Sequence, residues 1–160
     1  MELPAIHSRA DFSTALLWGF AAAIAEGARR IVCADPDFEQ WPLDDLQLIE
    51  RLTAWLRLPQ RRLVLLAADF EILPRRCPRF NTWRHDWVHA VEALQPPAEL
   101  RAGLPSVLWS DRGISVQLID KVHGRGRASD DGRHAQQWRD QLDAFLQRSE
   151  PAFAPRVLGL

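Results

Sequence analysis

The sequence predicts an α/β fold: a layered α/β/α arrangement whose sheet is mostly parallel, with one antiparallel hairpin towards the carboxyl terminus. Helical and strand patterns alternate along the chain, and the first two predicted strands are apolar at consecutive positions, as buried parallel strands are. The tight turn at residues 111–113 joins two strand patterns directly, which is typical of a hairpin. The 160 residues suit one domain, 1–160, without an internal repeat or a long linker.

The first half of the chain contains two helical patterns, each followed by a short apolar strand pattern. Apolar side chains recur at four-residue spacing over residues 11–27, which predicts an amphipathic helix. A second apolar stripe over residues 43–58 predicts another helix, and Pro59 ends it. The apolar runs Arg30–Asp35 and 62–68 predict two buried strands.

The second half contains a basic turn at 74–78, then a helix, a hairpin, a loop and a final helix. Pro96 and Pro97 end the third helix, and glycines bound the polar loop. The predicted elements are a helix at 80–94, strands at Ser106–Ser110 and 114–120, a polar loop at 124–132, a helix at 132–149 and an apolar tail at 150–160 that packs on the body.

The composition excludes several classes of protein. The formal net charge is −1, so no global field steers the chain towards nucleic acid or an anionic membrane. The longest apolar stretch, 15–25, is too short to span a bilayer, and the amino terminus does not resemble a signal peptide. Cys33 and Cys77 are the only cysteines in the sequence, which favours a reducing compartment, so we expect a cytoplasmic protein.

The common signatures of soluble α/β enzymes are missing from the sequence. It contains no glycine-rich phosphate loop, no dinucleotide-binding glycine fingerprint, no serine-hydrolase elbow and no CxxC pair. These absences remove the α/β enzyme classes that are easiest to recognise, and we predict no cofactor.

Residues 110–132 read SDRGISVQLIDKVHGRGRASDDG and resemble the catalytic hairpin of the phospholipase D superfamily. The family motif is H-x-K-x4-D, on a strand that follows a short strand ending in an acidic turn. When the hairpins are matched, Asp120 takes the place of the aspartate, and Gly113 and Ser115 take the places of the histidine and the lysine. The element order over residues 11–149 also resembles one half of such a protein. The carboxyl-terminal stretch resembles an uncharacterised proteobacterial family with this degenerate fold.

The resemblance implies a degenerate phospholipase D-like half-domain, a pseudoenzyme. Covalent catalysis in the superfamily needs the histidine that Gly113 replaces, so the phosphohistidine cannot form. The resemblance therefore favours a non-catalytic binding or interaction module. It also implies a homodimer, because the smallest bacterial members of the superfamily dimerise.

A second register of the same motif offers an alternative function. His123, Arg125 and Asp130 fit H-x-R-x4-D, in which a guanidinium replaces the lysine and can still bind phosphate. This alternative is a divergent phosphodiesterase or nuclease that uses these three residues. The glycine-rich composition of the segment argues against it, because a nucleophile needs a rigid support.

Arginines gather in two segments, and both are predicted near the carboxyl edge of the sheet, where α/β proteins bind ligands. Such a site suits a phosphate-bearing ligand, and single-stranded nucleic acid stays open as a partner through stacking on Trp83 or Trp109. The simpler interpretation is a solvated surface. The predicted anion-binding residues are Arg75, Arg76, Arg79, Arg84, Lys121, Arg125 and Arg127.

His85 and His89 are the only pair of histidines placed to share a metal ion. They are four residues apart on the predicted helix 80–94 and would therefore lie on one face of it. The sequence places no third histidine at the spacing that a complete site needs. We predict no metal, with this pair as the alternative, and interpret the face as one that packs on the sheet.

Overall fold

The computed structural model describes residues 2–153. Within them, one sheet lies between helices on both faces. The strands are β1 (Ala5–Ile6), β2 (Arg30–Asp35), β3 (Arg62–Ala67), β4 (Val91–Gln95), β5 (Ser106–Ser110), β6 (Ser115–Asp120), β7 (Arg125–Ser129) and β8 (Glu150–Pro151). The helices are α1 (Arg9–Ala25), α2 (Leu46–Leu56), α3 (Leu73–Arg76), α4 (Pro78–His85), α5 (Ala98–Arg101) and α6 (Gly132–Leu146). None of these helices is long and apolar enough to cross a membrane.

The sheet is mixed and mostly antiparallel, so the prediction of a mostly parallel sheet is wrong. The described strands lie in the order β1-β7-β6-β5-β2-β3-β4-β8. Of their neighbouring pairs, β2–β3 and β3–β4 are parallel, and the other five are antiparallel. The prediction failed because β5 returns antiparallel beside β2, with Ile31 opposite Ser110. The short strands β1, β7 and β8 were not predicted and add further antiparallel pairs.

Consecutive apolar residues of β2 and β3 supply two cores, one on each face of the sheet. Ile31 and Cys33 belong to the core that also contains buried side chains of α1 and α2. Val32 and Val64 belong to the opposite core, together with Leu142 of α6. Successive side chains of a strand point to opposite faces, so a continuous apolar run needs cover on both. The predicted buried strand at Arg30–Asp35 and the predicted strand at Ser106–Ser110 are confirmed.

The third predicted helix, 80–94, is wrong in its second half. Helix α4 ends at His85, and the chain reaches β4 at Val91. Strand β4 pairs in parallel with β3, with Val91 opposite Leu63. Alanine, glutamate and leucine favour a helix locally, and the tertiary pairing with β3 overrides that preference. In the predicted tail, the ring of Phe153 stacks on Phe70 at 5.1 Å; residues 154–160 lie outside the described part, so the packing of the whole tail stays a prediction.

Candidate functional site

The hairpin formed by β6 and β7, here called the basic hairpin (residues 115–129), carries cations on one face. Its other face belongs to the core under α1, through Val116 and Ala128. Strand alternation places Arg125 and Arg127 on the face away from that core, and both side chains are exposed. Lys121, in the turn, is also exposed. Three permanent positive charges therefore lie within one hairpin. The predicted polar loop at 124–132 is wrong, because Arg125–Ser129 is a strand.

The turn of the basic hairpin is held by the carboxylate of Asp120. Its Oδ1 accepts hydrogen bonds from the backbone N–H groups of Val122 at 3.0 Å and His123 at 3.1 Å. Its Oδ2 lies 2.7 Å from Nδ1 of His123. The hydrogen bonds from His123 lower the pKa of the Asp120 carboxyl below its usual value. The turn is therefore ordered by its own side chain, as in other Asx turns.

Two glycines let the basic hairpin pack closely against its neighbours. Gly124 has φ +70°, and a methyl group there would overlap the backbone nitrogen of Arg9. A methyl group on Gly126 would overlap the carbonyl oxygen of Gln117 on β6. Gly124 thus allows the tip to pack against the start of α1, and Gly126 allows β7 to approach β6 closely. Neither glycine loosens the segment as the sequence suggested.

The other predicted cations follow β3 and do not join the basic hairpin. Arg75, Arg76 and Arg79 are exposed on α3 and α4, whereas Arg84 is only 3% exposed. Arg84 donates a hydrogen bond to the carbonyl oxygen of Phe153. Its guanidinium carbon lies 4.2 Å from the centre of the Phe153 ring. Burial lowers the pKa of Arg84 to about 10. This arginine therefore anchors residue 153 and is not available to a ligand at the surface.

An acidic loop separates the two groups of cations. It is defined by Asp35, the last residue of β2, and by Asp37 and Glu39 in the loop that follows, and these three residues line a cavity of about 180 Å³ together with Lys121. The buried carboxylate of Asp35 accepts hydrogen bonds from the backbone of Phe38 at 2.8 Å and from the hydroxyl of Ser106 at 2.5 Å. Strands β5 and β2 lie between β6 and β3, a spacing of roughly 14 Å across the sheet. The seven predicted anion-binding residues therefore do not surround one phosphate-sized pocket.

The structure does not bring His123, Arg125 and Asp130 together. Asp130 follows the far end of β7, roughly 16 Å along the strand from Arg125. The carboxylate beside His123 is instead Asp120, which also lies opposite Arg125 in the strand register. Sequence reasoning missed this pair, although an aspartate three residues before the histidine is the signal of a side-chain-closed turn.

Gly113 and Ser115, which the resemblance matches to the catalytic histidine and lysine, present no exposed nucleophile. Gly113, with φ +85°, lies in the turn between β5 and β6. Ser115, at the start of β6, is 2% exposed. Asp120 occupies the opposite end of the same strand. The resemblance to the phospholipase D superfamily stays a prediction from the sequence.

His85 and His89 do not share a helical face, because α4 ends at His85. His89 lies beyond the helix, where its ring centre is 5.8 Å from that of Trp87. Across residues 2–153, no group of three or more histidine, cysteine or acidic side chains is placed to hold a metal ion. Trp109, considered above for base stacking, is buried and donates its indole N–H to the Ala135 carbonyl at 2.8 Å.

The fold and the hairpin define a mixed α/β protein with a basic surface near one edge of its sheet. Neither a protein-family model nor a curated protein matches the chain. Its fold is similar to that of TrmBL2, an archaeal chromatin protein whose structure "shows a novel mode of DNA binding". The TM-score is 0.62 at 11% identity, over 95% of this chain and 55% of TrmBL2. The chain thus spans about half the length of that protein, and the likeness shows the fold alone.

Proposed function

We propose that this chain is a non-catalytic binding module that binds duplex DNA through the basic hairpin. The observation that carries the proposal is the placement of Arg125 and Arg127 on one exposed face of β7. Alternate residues of a strand lie about 7 Å apart and point the same way, so both guanidinium groups can reach phosphates of one backbone. The similarity of the fold to a DNA-binding chromatin protein supports this choice of ligand.

The charge distribution favours a local contact over a broad one. The net charge is −1, and the acidic loop lies beside Lys121 at the carboxyl edge. Phosphates are attracted to the arginine face and repelled by the loop, so the duplex contacts the hairpin alone. A contact with few phosphates gives modest affinity and a shallow dependence on salt.

The site favours binding over hydrolysis. The 2.7 Å contact between His123 and Asp120 orients the imidazole and is the observation that supports a phosphodiesterase as a second candidate. However, the His123 side chain is 64% exposed at the hairpin tip. Water there screens the charges that a catalytic site uses to stabilise a transition state. Phosphate binding needs no such exclusion of water.

Fluorescence anisotropy with a short labelled duplex, repeated at several salt concentrations, tests the proposal. The variant is R125A/R127A, and the matched control is R51A/R57A, which removes two exposed arginines from α2 and its carboxyl end. We expect the first variant to bind more than about tenfold more weakly. Its negative slope of log K against log salt should become shallower by about 1.8, since each phosphate contact contributes about −0.9. An equal loss in both variants, or no binding by the parent protein at low salt, would refute the proposal.

A further inference from the structure

The tip of the basic hairpin carries an apolar side chain that nothing in the described fold covers. Val122 is 78% exposed, more than any other large apolar residue of the described part. It lies between Lys121 and His123, which are both exposed as well. Turn tips normally carry polar residues, and Val122 belongs to neither of the two cores.

The backbone that presents Val122 is fixed. The N–H of Val122 donates to the Asp120 carboxylate at 3.0 Å, and that of His123 donates to it at 3.1 Å. On the other side of the tip, Gly124 is buried against the backbone of Ser8 and Arg9. Contacts on both sides therefore limit the freedom of the tip. A fixed apolar side chain loses little conformational entropy when a ligand covers it.

We propose that Val122 acts as a wedge that enters between neighbouring base pairs of duplex DNA, an inference that rests on the DNA binding proposed above. Apolar side chains of DNA-bending proteins enter the minor groove, unstack a base step and kink the duplex by about 20–90°. The cost of unstacking is offset when the bent duplex brings more phosphates to the protein. Here, those phosphates would meet Lys121 and the arginines of β7.

Charge distinguishes duplex DNA from a membrane as the occupant of this tip. Binding to anionic lipid is typical of clusters of 4–8 basic residues beside an apolar element, as a rough guide. The basic hairpin offers three permanent cations, Lys121, Arg125 and Arg127, and the acidic loop lies beside it. A flat anionic surface would meet the loop together with the tip, whereas a duplex can contact the hairpin alone.

The test measures bending and binding separately. A duplex labelled at both ends reports bending by energy transfer, a 2-aminopurine at its centre reports unstacking, and anisotropy reports affinity. The variant is V122S, and V88S is the matched control because Val88 is exposed in the loop after α4. We expect V122S to lose the energy-transfer change and the 2-aminopurine signal, and to bind up to about tenfold more weakly. V122L should restore both signals, and V88S should keep them.

The outcomes separate the two proposals. If the parent protein binds the duplex without bending it, or if V122S bends it as the parent does, the wedge is refuted and the DNA-binding function stands. If the parent does not bind the duplex at all, both fail. A parallel flotation assay uses vesicles of phosphatidylserine and phosphatidylcholine. Co-flotation of the parent but not of V122S, with no DNA bending, would assign the tip to a membrane and overturn the inference.

Discussion

The carboxylate of Asp120 lies 2.7 Å from Nδ1 of His123, within a turn that the same carboxylate closes through two backbone N–H groups. When Nδ1 carries the proton, His123 donates to Asp120 and turns Nε2 away from the contact. The hydrogen bonds that order the hairpin tip therefore depend on whether the Asp120 carboxyl group is ionised. The tip that carries the proposed DNA contacts is therefore sensitive to acid.

The first prediction concerns the pH dependence of stability. The pKa of Asp120 is lower in the folded chain than its ordinary value, because His123 donates hydrogen bonds to the carboxylate. The stabilisation is therefore complete above the ordinary pKa and is lost as the pH falls through the lowered one. We expect D120N to be less stable than the parent at neutral pH, with a difference that shrinks as the solution becomes acidic. Urea denaturation at a series of pH values measures this.

D140N serves as the control for that series, because Asp140 is exposed on α6 and lies outside the turn. Its difference from the parent should not follow the D120N curve. A D120N difference that stays constant down to acidic pH would show that Asp120 does not link the turn to protonation.

The second prediction compares three glycines that differ in strain and space. In G124A the methyl group meets a positive φ and the backbone of Arg9, so we expect a loss of about 2–4 kcal/mol. Gly27 has φ +79° in open space, so G27A should lose about 1–2 kcal/mol from strain alone. Gly103 has neither problem, so G103A should change stability by no more than about 1 kcal/mol in either direction. Urea denaturation ranks the three, and a G124A protein as stable as G27A would contradict the close packing of the tip.

Strand β2 could be predicted from the sequence alone, whereas strand β7 could not. The run RIVCAD is apolar at consecutive positions because both of its faces are buried, and the strand was predicted with its observed bounds. The run RGRAS has one exposed charged face and a glycine that packs against Gln117. Its composition therefore matches a loop. Only the pairing with β6 and β1 makes it a strand, and that pairing depends on residues distant in the chain.

The cations of the candidate site could be found from the sequence, but their tertiary surroundings could not. Lys121, Arg125 and Arg127 were identified by composition, and they do lie in one hairpin. Arg84 was grouped with them by sequence proximity to other arginines, although it packs under Phe153. Charge can be counted from the sequence, but its exposure is decided by tertiary contacts. Val122 gave no signal, because a lone valine in a turn resembles many others.

The third prediction tests the buried hydrogen bond between Ser106 and Asp35. The hydroxyl of Ser106, at the start of β5, donates to the carboxylate at the end of β2 at 2.5 Å. S106A leaves a buried carboxylate oxygen without this donor, so we expect a loss of about 1–3 kcal/mol. The double variant S106A/D35N should recover part of that loss, because an amide is less costly to leave unpaired than a carboxylate. Chemical denaturation of S106A, D35N and the double variant measures the coupling, and strictly additive losses would contradict it.

The fourth prediction is that neither thiol reacts readily in the folded protein. Burial raises the pKa of Cys33 well above its usual value. The pKa of Cys77 is also raised, since burial and the nearby Asp44 carboxylate outweigh the backbone hydrogen bonds of Asp44 and Leu43 and the positive charge of Arg76. The thiolate is the reactive form, so both groups should react far more slowly with Ellman's reagent than free cysteine.

In denaturant, both thiols of the chain should react rapidly with Ellman's reagent. Separate measurements on C33S and C77S assign each rate to one residue. Cys77 is 3% exposed. Its rapid reaction in the folded C33S variant would mean that the surface around α3 opens more easily than this exposure indicates.

The fifth prediction separates phosphate binding from phosphate-ester hydrolysis at His123. The imidazole is oriented by Asp120 but surrounded by water, so we expect no hydrolysis of bis(p-nitrophenyl) phosphate above the background of H123A, with or without EDTA. The same H123A protein should keep most of its affinity for duplex DNA at neutral pH, because the permanent charges of Arg125 and Arg127 are unchanged. Turnover that survives EDTA and disappears in H123A would instead establish a metal-free phosphodiesterase. Turnover equal in both proteins would point to a contaminant, and repurification to constant specific activity would identify it.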